Sequence, residues 1–193
     1  MKVTAKNNRL IFGLLITNTI CTFIIALLSI NNVFPDVISW IILHATAGLC
    51  YIITISYLIG ILQFAGEAIT IQTPFSIFLG TQIIAAFASV LSARQQGQIM
   101  LTESLAMIKI VVVFYIILVT FRIKAKQIST PYKIYGLSLV LEILLKFSFV
   151  FLRMPIMPER FIGVADFMPL FAIFYIVNRT GKLLNEHVQP VIN

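Results

Sequence analysis

Charge is scarce in this chain: Asp, Glu, Lys and Arg make up 11% of its 193 residues. Soluble domains carry roughly 25%, so a water-soluble fold of this length could not cover its surface. Cysteine is nearly absent. Cys21 and Cys50 both fall inside apolar stretches and form no Cys-x-x-Cys, which excludes a disulfide scaffold and leaves two reduced packing residues. Histidine is as rare. His44 is the one histidine in an apolar stretch and His187 sits in the tail, too few for a bis-histidine haem or a zinc cluster. Gly-x-Ser-x-Gly, His-Glu-x-x-His, the phosphate loop and Gly-x-Gly-x-x-Gly are all missing. The sequence therefore supports no catalytic residue, no cofactor and no metal.

What the chain has instead is apolar length. Hydrophobic residues reach 60%, and the mean hydropathy is +1.01. That composition reads as an integral membrane protein whose first partner is the lipid bilayer. Six apolar runs stand out, at 10–30, 37–62, 74–92, 105–121, 134–152 and 161–177. Crossing the hydrocarbon core takes roughly 17–25 helical residues. The fourth and sixth runs are short and would recruit flanking residues such as Ile99 to Leu101 and Ile156. Backbone groups in lipid must pair within their own element, so the runs are helices. The fold class is all-α, a polytopic bundle of about six transmembrane helices, with residues 1–193 forming one transmembrane domain. Lys2, Lys6 and Arg9 precede the first run as in a signal peptide. The run is too long for one, no small-x-small site follows, and Ile20 precedes Cys21, so it reads as a retained anchor.

The net charge is +7. In a polytopic chain a basic excess reports topology rather than nucleic acid. With the N-terminus inside, nine of the 14 basic residues fall inside: Lys2, Lys6, Arg9, Arg122, Lys124, Lys126, Lys133, Arg179 and Lys182. Arg94, Arg153 and Arg160 fall outside, and Lys109 and Lys146 lie within runs. The bias favours N-in and C-in. The 2–3 connection opposes it, because it should be basic and holds only Glu67. Compactness and the lack of a targeting segment fit a bacterial inner (cell) membrane.

The fifth run carries the chemistry. Glu142 and Lys146 are four apart, in the order that suits a helical pair. At about 100° per residue, Tyr135, Ser138, Glu142, Lys146 and Arg153 share one sector of roughly 80°. Charges at mid-membrane cost about 2.5 kcal/mol upward and face a bundle interior or a wet cavity. The seam lines a solute or proton path with Glu142 as the exchangeable group, or it is a self-neutralised pair that locks packing. Asp166 stands three before Pro169, where a kinked helix would build a substrate site. The plainer reading, favoured by its closeness to residue 161, has Asp166 capping the first turn of that helix. The candidate substrate-binding residues are Glu142, Lys146, Ser138, Tyr135 and Asp166.

Other features read as structural. Lys109 would snorkel to the outer interface. His44 shares a face with Gly48 and Tyr51 as a packing residue, and Asn18 with Thr22 would join helices. Thr81, Ala85, Ser89 and Ala93 make a small-residue ladder for close helix contact. In length and span count alone, the chain resembles the small substrate-binding subunits of some vitamin uptake systems. The leading expectation is small-solute transport or membrane-embedded binding, with a small-molecule solute as partner. The alternative is a non-catalytic subunit or assembly partner of a larger membrane complex, docking on a membrane-protein partner. A membrane enzyme ranks third because convergent titratable groups are few.

Overall fold

A computed structural model of the protein describes residues 1–31, 33, 36–92, 99–151 and 165–186, without the side chains of 29, 85–92, 99–107, 149–151 and 186. Arg94, Arg153, Arg160, His187, Ala93 and residues 161–164 of the sixth run lie outside the described residues. Ala85, Ser89 and Glu103 lie outside the described side chains.

The described residues form six α-helices and no strand: α1 (Ala5–Ile30), α2 (Val37–Phe64), α3 (Ile69–Ser92), α4 (Ile99–Thr120), α5 (Lys126–Phe151) and α6 (Phe167–Glu186). Three stretches among the described residues are long and apolar enough to cross a membrane: Ala5–Leu28, Val37–Phe64 and Lys126–Ser148. Ile69–Ile84 and Ile108–Thr120 are shorter apolar segments. α4 does begin at Ile99, with the recruited flank. α3 and α5 begin earlier than their apolar runs, so Pro74 and Pro131 sit inside helices. Each is the sixth residue of its helix and forfeits one hydrogen bond near the end, to the carbonyl of Thr70 or Gln127.

Each helix packs on its neighbours in the chain, and α6 returns to α1, so the six close into a ring. Phe12 meets Phe174 edge-on at 5.4 Å across the α1–α6 seam, and Phe23 meets Phe167 at 6.4 Å. The outside of the ring is apolar on every helix. Phe23, Ile42, Ile77, Leu118, Leu144 and Phe171 are all exposed. Soluble monomers rarely show so continuous an apolar surface.

Among the described residues, one end of the ring is filled. There the chain begins, α2 turns into α3, and α4 turns into α5. Tyr57, Phe75, Tyr132 and Tyr135 are fully buried in its middle, among Ile11, Leu15, Leu58, Ile61, Ile116 and Ile173. Two of these tyrosines find partners across the ring, while the buried Tyr135 hydroxyl has none among the described residues. Tyr57 donates to Asn8 Oδ1 at 3.0 Å, and Tyr132 donates to the carbonyl of Leu58 at 2.7 Å. Phe75 packs edge-on to Tyr132 and stacks on Tyr135. α4 and α5 approach closely at Gly136, where an added Cβ would collide with the Thr120 hydroxyl.

The anomalous acid of the 2–3 connection belongs to this closed end. Glu67 is 8% exposed. Its Oε1 accepts from the amides of Lys124 and Ala125 at 2.9 and 2.6 Å, capping the start of α5 from another part of the chain. Gly66, at φ 71, makes the preceding turn in a conformation natural to glycine. The carboxylate thus stands beside the basic segment that holds Arg122, Lys124 and Lys126. At the opposite end Asp36 caps α2, accepting from the Ser39 amide at 3.0 Å. Ser39, through its side chain and then its amide, holds the exposed Asp36 carboxyl below its ordinary value.

Candidate functional site: a charged cavity in the open end of the ring

Among the described residues, the halves of the helices beyond the aromatic plug stand apart. They leave a half-open cavity of about 610 Å³. All six helices or their ends line it. α1 contributes Asn18 and Thr22, and α2 contributes His44, Gly48 and Tyr51. Phe78 and Gln82 come from α3, Lys109 and Val113 from α4. Glu142, Ile143 and Lys146 come from α5, with Asp166 and Leu170 from the start of α6. The floor is the plug, reached through Phe78 and Leu139, which are themselves buried.

One ion cluster dominates the wall. Glu142 and Lys146 meet across a single turn of α5, Nζ to Oε1 at 2.6 Å. Lys146 also reaches Asp166 Oδ1 at 2.5 Å, tying α5 to the beginning of α6. Glu142 is the most sheltered of the three at 15% exposure, against 32% for Lys146 and 46% for Asp166. One ammonium serves two carboxylates, so the cluster carries a formal charge of −1. Asp166 sits just before the first residue of α6, and Pro169 falls in the first turn. A proline there lacks only a donor that would have no intrahelical partner, so it needs no kink.

The other two seam residues lie elsewhere. Ser138 and Tyr135 share the face of Glu142 but are deeper, toward the closed end. Ser138 is 9% exposed and returns its hydroxyl to the carbonyl of Tyr135 at 2.7 Å. Tyr135 is fully buried on Phe75. Helical angle alone separates faces, not depths, and the plug takes the first turns of that face. Of the five candidate residues, three meet at the cavity and two support its floor.

No known family model, curated protein or solved structure matches the chain. The site therefore stands on its own geometry.

Several cavity residues had been read as structural. Lys109 lies on the wall and makes no ion pair among the described residues. Gln82, which the sequence did not single out, lines the cavity as well, and its Nε2 is buried without a hydrogen-bond partner among the described residues. His44 packs edge-on to Trp40 at 4.5 Å and also borders the space. Asn18 and Thr22 line it rather than simply bridging two helices. The lone signal was helical depth. Each of these residues lies in the half of its helix nearer the open end. No group of three or more His, Cys, Asp or Glu among the described residues could hold a metal. Cys21 and Cys50 are buried and unpaired.

Proposed function

We propose that this chain is a membrane-embedded binding or transport protein for a small polar solute, and that the solute enters the open end of the ring. The observation that carries this reading is the Glu142–Lys146–Asp166 cluster in the wall of a half-open cavity above a sealed aromatic floor. A purely structural ion pair would be better packed away. Desolvating charges costs several kcal/mol per ion, so they persist inside a bundle where water or a ligand reaches them. Pockets for small molecules are concave, mostly apolar and carry a few convergent polar groups.

All six helices cross the bilayer in this proposal, with both ends of the chain on the cytoplasmic side of a bacterial inner membrane. The apolar exterior on every helix supports the six spans. The basic residues of the chain start and of the α4–α5 turn gather at the closed end and support the orientation. Glu67 no longer opposes it, because its charge is used as a helix cap among those basic residues. The cavity then opens away from the cytoplasm.

Native mass spectrometry of protein extracted gently from its own membrane tests the reading. We expect a small bound mass that is lost in Glu142→Gln while the melting temperature falls by no more than about 2–4 °C. Protein that is empty in every preparation would overturn it. So would a stoichiometric second polypeptide whose retention depends on Glu142 and Lys146, which would make the chain a subunit of a larger complex.

A further inference from the structure

We infer that the solute is a zwitterion: a small molecule with an ammonium group and a carboxylate on a partly apolar body. This rests on the cavity being a solute site, as proposed above, and adds its chemical class.

The charges in the cavity sum to zero but are not evenly spread. Glu142 on α5 and Asp166 before α6 each give one oxygen to Lys146. Their second oxygens make no hydrogen bond or ion pair among the described residues, so this wall offers acceptors and a local charge of −1. The wall from α3 and α4 is the reverse. Lys109, an exposed residue, carries an ammonium with no ion pair, and Gln82 carries a buried amide donor with no acceptor, among the described residues. An unmet buried donor costs free energy, and the Gln82 amide, sealed off as it stands, meets a ligand oxygen by turning toward the cavity.

Acceptors on the α5–α6 side and donors on the α3–α4 side make the site dipolar. A cation alone would leave Lys109 unmet, and an anion alone would sit beside two carboxylates. A zwitterion meets both sets of groups and brings no net charge into the cavity. Between the walls, Tyr51 and Phe78, edge-on at 6.3 Å, with Ile110 and Ile143, provide an apolar and aromatic surface for the body of the molecule. The volume of about 610 Å³ accommodates a solute from amino-acid size upward.

The test uses the full chain in detergent and three matched probes. Phenylalanine carries both charges, phenethylamine the ammonium only, and 3-phenylpropionate the carboxylate only. The remaining standard amino acids and glycine betaine extend the zwitterion set, and any co-purified molecule is released and identified. We expect a zwitterion to raise the melting temperature by about 5–10 °C at a hundredfold excess over its Kd, and the single-charge probes to act far more weakly. Lys109→Met should weaken zwitterion binding at least tenfold without changing the response to phenethylamine. Lys109→Arg, which keeps the charge, should retain binding and guards against a folding defect. A single-charge probe that binds as tightly as any zwitterion, or a released molecule with one charge, would overturn the inference and leave the solute site standing. An absence of any bound molecule together with no response to any probe would overturn both.

Discussion

Lys146 holds two carboxylates, so its removal should hurt more than the removal of either partner. At 2.6 Å and an effective dielectric of about 20, the Lys146–Glu142 attraction is roughly 6 kcal/mol. Most of that is offset by the cost of taking the charges out of water. The measurable quantity is therefore the penalty of leaving a partner behind, about 3–5 kcal/mol for a buried pair and below about 1 kcal/mol for an exposed one. Glu142 is 15% exposed and Asp166 is 46% exposed, so the site lies between those limits. Lys146→Met should cost about 2 kcal/mol. Glu142→Gln should cost less than about 1 kcal/mol, because Lys146 keeps Asp166. The double variant leaves only the better-solvated Asp166 without a cation and should cost about 1 kcal/mol. For a chain of this length 1 kcal/mol moves the melting temperature by about 2–4 °C. Thermal unfolding in detergent should therefore place Lys146→Met about 4–8 °C below the parent, with the double variant about 2–4 °C above Lys146→Met. If the losses of the two single variants simply add, the two residues are not coupled and the cluster is not a unit.

Three further outcomes follow from the packing. Glu67→Ala removes the acceptor of two amides at the start of α5 and should cost about 2 kcal/mol; hydrogen exchange at Lys124 and Ala125 should speed up, and unchanged exchange would count against the cap. Gly136→Ala drives a methyl into the Thr120 hydroxyl and should cost about 1–3 kcal/mol, while Thr120→Ala in the same chain should restore most of the lost melting temperature. Asp36 is the acid-sensitive cap. Its folded carboxyl lies below its ordinary value, so its contribution is present above the unfolded value of 3.8 and is lost as pH falls through the folded one. Protection of the Ser39 amide, relative to its intrinsic exchange at each pH, should fall over that acid range in the parent and stay constant in Asp36→Ala.

Much of the scaffold was legible along the chain because it depends on neighbours in sequence. Apolar runs long enough for lipid read as helices, and α4 took the flank from Ile99 that its short run required. The Glu142–Lys146 pair was legible for the same reason, since one helical turn brings them together whatever surrounds them. Helix starts were read late at α3 and α5. The apolar runs begin after the polar first turns of these helices, and a proline near a helix end removes only a single hydrogen bond.

The site itself depends on which helices become neighbours. Asp166 joins Lys146 from twenty residues away because α5 and α6 are antiparallel neighbours in the ring. Glu67 looked like a charge on the wrong side until the α2–α3 turn came to rest on the start of α5. Ser138 and Tyr135 share an angular sector with Glu142 but not its depth, and the aromatic plug claims that depth. Lys109 and Gln82 gave no periodic signal, and they matter because the ring brings α3 and α4 to the same cavity as the carboxylates. Composition and periodicity report how each segment meets its solvent, and that suffices for apolar helices and their charge bias. Which polar groups converge is set by the closure of six helices into a ring whose bulky side chains fill one end and leave a half-open cavity beyond it.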